Sequence, residues 1–173
     1  MKDCQSSICF CYLRSPGQRS GIYKGDYHKL HSLLKALLEA GVDNVLALRG
    51  DLPQDKTFDY KEGEFKHASD LISFLRKYYP QFGIAVASYP EGHPESLSLE
   101  EDLKFLKLKL DRGADFAITQ LFFDNNIYWK FLEKARNIGI DKPIIPGILP
   151  VTNLKTLERI LSQCGVDGKD KAV

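Results

Sequence analysis

Polar and ionisable side chains stand directly after several short apolar segments of this sequence, and they are the groups best suited to chemistry. In chain order they are Arg49, Gly50 and Asp51, then Tyr89 and His93, and then Gln120. A carboxylate can stabilise a developing cation, an arginine can bind an anion, and a histidine or carboxamide can hold a polar ligand. If the apolar segments are parallel strands, these groups share one edge of a sheet, where α/β proteins bind ligands.

Each of these residues also has an ordinary structural explanation. A single histidine such as His93 is more often structural than catalytic, and Gln120 could satisfy buried backbone groups. Asp102 and Lys109 lie seven residues apart and could be solvated charges on one helix face, and Asp124 could cap a helix. The convergence of the strand-end groups on one predicted edge favours a functional site over these separate explanations.

The segments that must position these groups have the composition of strands and helices in alternation. Nearly continuous apolar runs predict parallel strands covered on both faces, at residues 44–48, 83–87, 116–119 and 143–149, with a further strand at 8–13. Apolar residues at helical spacing predict helices over about 30–40, 68–79, 98–112 and 126–138 and from 153 onward. This order predicts a parallel α/β sheet with right-handed crossovers.

Composition excludes several classes of function. The 173 residues carry a net charge of +1, which gives no reason to expect nucleic acid or an anionic membrane as a partner. No run of apolar residues is long enough to span a bilayer, and a cytoplasmic location is expected. The cysteines and histidines lack the spacing of a metal site, so no metal is expected, and His28 and His31 are interpreted as exposed. Glycine-rich nucleotide-binding fingerprints and nucleophile elbows are absent.

Taken in order, the strand-end motifs resemble the signatures of the methylenetetrahydrofolate reductase family. The motifs are LALRGDLP at 46–53, ASYPEGHPE at 87–95, ADFAITQLFFD at 114–124 and IIPGILP at 144–150, and the resemblance covers about residues 29–164. It implies a parallel (β/α)₈ barrel of the TIM type that binds FAD at its carboxyl rim. It also implies a cytoplasmic enzyme of one-carbon and methionine metabolism that reduces methylenetetrahydrofolate to methyltetrahydrofolate with NADH or NADPH.

The resemblance assigns roles to individual residues. Asp51 resembles the carboxylate near flavin and folate, where it would stabilise the cationic iminium that forms when the folate ring opens. Gln120 resembles a folate-binding residue. The residues that resemble flavin contacts are Leu48, Arg49, Gly50, Asp51, Ala68, Tyr89, His93, Asp102 and Lys109, the last two at positions that hold the ribose and pyrophosphate.

Part of the family pattern has no counterpart in this sequence. The four clear strands correspond to the fourth through seventh of the family, so the chain is expected to form half to five-eighths of a barrel, in a single domain over 1–173. Residues 1–25 and 165–173 lie outside the resemblance, and the family's early strand with its proposed general-acid glutamate is not found. Two alternatives therefore stay open: a truncated, non-catalytic relative, or another flavin barrel oxidoreductase similar to proline dehydrogenase. A homo-oligomer is a further open option.

Overall fold

Strands and helices alternate along the chain as predicted. The computed structural model describes residues 8–12, 27–48, 65, 67–93, 96–148 and 153, with only the backbone at 8–12 and at Lys29. The elements are β1 (Ile8–Tyr12), α1 (Tyr27–Glu39), β2 (Asn44–Leu48), α2 (Ala68–Tyr78), β3 (Gly83–Ser88), α3 (Leu99–Asp111), β4 (Phe116–Thr119), α4 (Asn125–Asn137) and β5 (Ile144–Ile145). The helix predicted from residue 153 lies outside the described residues, apart from Asn153 itself.

The chain divides into two compact units, one of residues 1–86 with 111–115 and one of residues 87–110 with 116–173. In the first unit, β1 pairs with β2 and β2 pairs with β3, both in parallel. In the second unit, β4 pairs in parallel with β5. These parallel pairings, with a helix between each strand and the next, confirm the predicted parallel α/β class. The single domain over 1–173 stays a prediction.

The core of the first unit forms where two amphipathic helices cover the sheet. Leu30 and Leu34 of α1 and Leu71 and Leu75 of α2 are almost fully buried, as their helical spacing predicts. Leu33 was predicted on the same stripe of α1, but 37% of its surface is exposed, because it lies about 80° around the helix from the line between Leu30 and Leu34.

Arg76 links the end of α2 to the segment before β4 through hydrogen bonds and an ion pair. Its Nε and Nη2 donate to the carbonyl of Gly113, the former at 3.0 Å, and Nη2 also forms an ion pair of 2.7 Å with Asp115. The same carboxylate accepts the amide of Ile84 at 2.8 Å. These contacts fix the start of β3 against residues 113–115 within the first unit.

The last strand is shorter than the sequence predicts. Apolar residues continue over 143–149, yet β5 contains only Ile144 and Ile145. Pro143 and Pro146 flank this pair, and a proline has no amide proton to donate to a neighbouring strand. The prolines therefore limit the ladder to the two residues between them.

The caps of the helices in the second unit follow the sequence signals. The hydroxyl of Ser98 accepts the amide of Glu101 at 3.2 Å, and the carboxylate of Glu101 accepts the amide of Leu97 at 3.0 Å, one residue before the position of a standard capping box. Asp124 caps α4 by accepting the amide of Asn126 at 2.8 Å. Across the described residues, no helix has the length and apolar character needed to cross a bilayer.

Candidate functional site

The second unit brings the ends of β3 and β4 side by side. The amide of Gln120, the first residue after β4, donates to the carbonyl of Ser88 at the end of β3, at 2.7 Å. The loop that carries Tyr89 and His93 therefore starts next to Gln120, as expected for neighbouring parallel strands. This edge, together with the face of α3 that lies under the loop, forms the candidate site.

The loop after β3 is held in shape by Asp102 of α3. One oxygen of its carboxylate accepts the amide of His93, and the other accepts the hydroxyl of Ser96. Gly92 has a φ of +93°, a left-handed conformation that favours glycine, and allows the chain to turn back toward α3. Within the loop, the rings of Tyr89 and His93 meet edge to face with their centroids 4.6 Å apart.

The sequence did not predict these hydrogen bonds of Asp102 to the loop. Its carboxylate is not a solvated charge of a helix face, because both oxygens accept hydrogen bonds from the loop. Ser96 was not singled out by sequence analysis at all. Nothing in its type or spacing indicates this contact, since it depends on how the loop folds back over α3.

Lys109, two turns further along α3, lies against the end of β3. Its ammonium donates to the carbonyl of Ala87 at 2.7 Å, and the residue is half-buried, so the interpretation as a solvated charge is wrong for it as well. Burial lowers the pKa of Lys109 to about 8, and the negative charge of Asp102 only partly opposes that shift. A desolvated ammonium that uses one of its three protons on Ala87 has two left for a ligand.

Gln120 combines a fixed backbone with an available donor. Its Oε1 accepts the amide of Leu121 at 3.0 Å, which orients the carboxamide. Among the residues that the structure describes, no acceptor is within hydrogen-bonding distance of its Nε2, so this amide is free to bind a ligand.

A close contact between β4 and the segment after β5 holds Thr119, the residue just before Gln120. The hydroxyl of buried Thr119 accepts the amide of Gly147 at 2.9 Å. A Cβ on Gly147 would lie only 2.1 Å from the carbonyl oxygen of Thr119, so only glycine fits at this approach.

The remaining predicted site residues are not part of this cluster as the structure describes it. Leu48 ends β2 and Ala68 begins α2, both in the first unit and both half-buried. Arg49, Gly50 and Asp51 lie outside the described residues. The cluster in the second unit therefore contains Tyr89, His93, Asp102, Lys109 and Gln120, and the roles assigned to them stay a prediction.

Comparison with known proteins identifies the relatives of this chain. The sequence model of the family described as methylenetetrahydrofolate reductase matches residues 23–168. The Arabidopsis thaliana protein named methylenetetrahydrofolate reductase (NADH) 1 is 45% identical over 148 residues, which are 79% of this chain and 25% of that protein. The 5,10-methylenetetrahydrofolate reductase of Pectobacterium carotovorum is 43% identical over 140 residues, 80% of this chain and 44% of that protein.

A third relative carries a different coenzyme in its name. The probable methylenetetrahydrofolate reductase (NADPH) of Caenorhabditis elegans is 42% identical over 137 residues, 78% of this chain and 20% of that protein. The chain thus spans a quarter or less of the length of the two eukaryotic relatives and under half of the bacterial one.

Proposed function

This chain belongs to the methylenetetrahydrofolate reductase family, and we propose that it carries out the FAD-dependent reduction of methylenetetrahydrofolate to methyltetrahydrofolate with NADH or NADPH as the electron donor. The observation that carries this proposal is the junction of the β3 and β4 ends, where Tyr89, His93 and Gln120 stand on neighbouring strand ends inside the matched region. Ligands of parallel α/β folds bind at this end of the strands.

The residues under the loop have the donors and acceptors that a flavin nucleotide needs. Lys109 has two ammonium protons that no described residue accepts, at a partly desolvated position, which suits a pyrophosphate. Each oxygen of Asp102 has a second lone pair besides the one taken by the loop, which suits a ribose hydroxyl. The ring of Tyr89 supplies an apolar face beside a polar tip. When bound, FAD supplies the ring system through which hydride passes from the nicotinamide to the folate.

The folate is proposed to lie against Gln120 and Asp51. The Nε2 of Gln120, which has no acceptor among the described residues, would donate to the polar edge of the pterin ring, and the hydrogen bond from the Leu121 amide to Oε1 orients the carboxamide. Asp51 would place a negative charge beside the iminium that forms when the bridging carbon is released from one folate nitrogen. Arg49 and Gly50 would line the flavin next to it, with Leu48 and Ala68 as further contacts, by resemblance to the family.

The fold proposed for the functional state is a (β/α)₈ barrel of the TIM type, of which this chain contributes about half to five-eighths. The parallel pairs β1-β2, β2-β3 and β4-β5 with intervening helices support it, because successive strands of such a barrel are parallel neighbours. A cytoplasmic location and a homo-oligomeric state accompany this proposal. The donor stays open between NADH and NADPH, since relatives with either coenzyme in their names are similar to the chain.

Two half-reactions test the proposal separately. The chain is incubated with FAD, freed of excess flavin and mixed without oxygen with NADH or NADPH, while the flavin absorbance is followed. We expect bleaching by at least one donor and a return of the colour when methylenetetrahydrofolate is added, with methyltetrahydrofolate as the product. Bleaching without reoxidation by the folate would favour another flavin oxidoreductase, and no bleaching with bound flavin would favour a non-catalytic relative.

A further inference from the structure

The first unit contains a cavity that the proposed reaction does not use. It has a volume of about 480 Å³ and lies against α1 and α2, with Phe65 at one side and Arg112 at another. Its size falls in the range of small-molecule sites, which hold roughly 300–1,000 Å³. Among the described residues, none that was assigned to flavin or folate lines it.

The wall of this cavity is aromatic and centred on Phe74. The ring centroid of Phe74 lies 5.3 Å from that of Tyr27, 5.4 Å from that of Phe65 and 5.0 Å from that of Tyr78. Two of these rings remain open to solvent, since Tyr27 is 40% and Tyr78 is 50% exposed. A flat ring that entered the cavity would stack on surfaces that otherwise face water.

The charged residues at the cavity favour an anion. Lys77 and Arg112 are exposed, and within the described part of the chain neither has a carboxylate at ion-pair distance. Lys77 instead holds its ammonium 4.9 Å from the centre of the Tyr78 ring. Of the described carboxylates, that of Asp70 lines the cavity, and it accepts the amide of His67 at 2.9 Å at the start of α2.

His31 completes the wall and is not exposed as the sequence suggested. Its Nδ1 lies 2.7 Å from the hydroxyl of Tyr79, and that hydroxyl donates to the carbonyl of His31 at 3.1 Å. The phenol of Tyr79 thus donates to the carbonyl of His31 and accepts from its Nδ1–H. These bonds fix the imidazole ring of His31 against Phe74 and Tyr78. His31 is therefore held in place before any ligand arrives, which lowers the cost of ordering this residue on binding.

We propose that this cavity is a second ligand site of the protein, one that binds a planar aromatic anion with its ring on Tyr78 and its acidic group between Lys77 and Arg112. The aromatic wall supplies the apolar contact, and the two cations, which form no ion pair with a described residue, select the charge. The proposal does not rest on the proposed reductase activity, because Tyr89, His93, Asp102, Lys109 and Gln120 do not line this cavity.

The test measures binding of 1-naphthoate to the full chain by isothermal titration calorimetry and by saturation-transfer NMR, with neutral 1-naphthamide as the matched ligand. We expect 1-naphthoate to bind more tightly than 1-naphthamide. The double substitution Lys77→Gln and Arg112→Gln should weaken 1-naphthoate about fivefold or more while leaving 1-naphthamide unchanged. Tyr78→Leu should weaken both ligands about threefold or more.

Lys35→Gln is the matched control, since Lys35 is an exposed lysine of α1 that does not line the cavity. Circular dichroism establishes that every variant is folded. Equal affinity for the acid and the amide, an undiminished affinity in the double variant, or no binding of 1-naphthoate at millimolar concentration would each overturn the proposal.

Discussion

Replacement of Lys109 by methionine separates the stability of this chain from its capacity to bind flavin. In the folded chain the pKa of Lys109 is about 8 instead of 10.5. This difference corresponds to about 3 kcal/mol against the charged form at neutral pH. Methionine removes that cost but leaves the carbonyl of Ala87 without its donor, a loss of about 1–3 kcal/mol. We therefore expect Lys109→Met to be neutral or stabilising by up to about 2 kcal/mol at pH 7, measured by urea unfolding.

The contribution of Lys109 to the free energy of unfolding should depend on pH with a definite sign. Below pH 8, Lys109 is protonated in both the folded and the unfolded chain, so this residue adds no slope. Between pH 8 and 10.5 the unfolded chain holds a proton that the folded chain lacks, so the free energy of unfolding rises with pH. The part of that rise due to Lys109, about 3 kcal/mol, should be missing in Lys109→Met.

Flavin binding should show the opposite pH dependence, because a pyrophosphate needs the ammonium to be charged. As pH rises above 8 the affinity for FAD should fall by up to about tenfold per pH unit in the original chain. Lys109→Met should bind FAD about ten- to a hundredfold more weakly at pH 7 and without that slope. Lys104→Met, at an exposed position of the same helix, is the control. An unchanged slope in Lys109→Met would refute the assignment of the pyrophosphate to this lysine.

Three further substitutions test separate parts of the account. Asp51→Asn should slow folate reduction roughly a hundredfold in stopped-flow measurements and leave flavin reduction by the nicotinamide nearly unchanged, whereas equal losses in both steps would contradict an iminium-stabilising role. Gln120→Ala should raise the Kd for folate about tenfold with FAD still bound, and loss of the yellow colour would mean that the residue is structural. Gly147→Ala should lower the free energy of unfolding by about 2 kcal/mol or more, because its Cβ meets the Thr119 carbonyl, while Gly139→Ala, which meets only open space, should cost about 1 kcal/mol through its positive φ. Similar losses in the two glycine variants would contradict the close approach.

The strands and helices were predictable where one local pattern decides the structure. Residues 44–48 form β2 as predicted, because an uninterrupted apolar run between polar ends suits a strand covered on both faces. The apolar pattern predicted too long a strand at β5, because the two prolines that flank it limit the ladder. Those prolines were visible in the sequence. Leu33 shows what helical spacing cannot predict, because a stripe of five leucines does not indicate which of them is exposed.

The location of the candidate site could be predicted from the sequence, but the hydrogen bonds within it could not. Gln120 lies beside the loop of Tyr89 and His93 because parallel strands end at one edge, which the order of elements already implies. The contacts of Asp102 with His93 and Ser96 depend on the path of the loop over α3, and no spacing rule contains that path. The aromatic cavity joins residues as distant in sequence as Tyr27 and Arg112, so only the packing of the helices brings it together.

The most direct test of the central claim is the visible absorption spectrum of the purified chain after incubation with FAD and removal of unbound flavin. The account predicts flavin bands that remain with the protein, and a weaker signal from Lys109→Met at the same protein concentration. A colourless protein that is folded by circular dichroism would contradict the claim that the cluster of Tyr89, His93, Asp102 and Lys109 in this chain forms a flavin site.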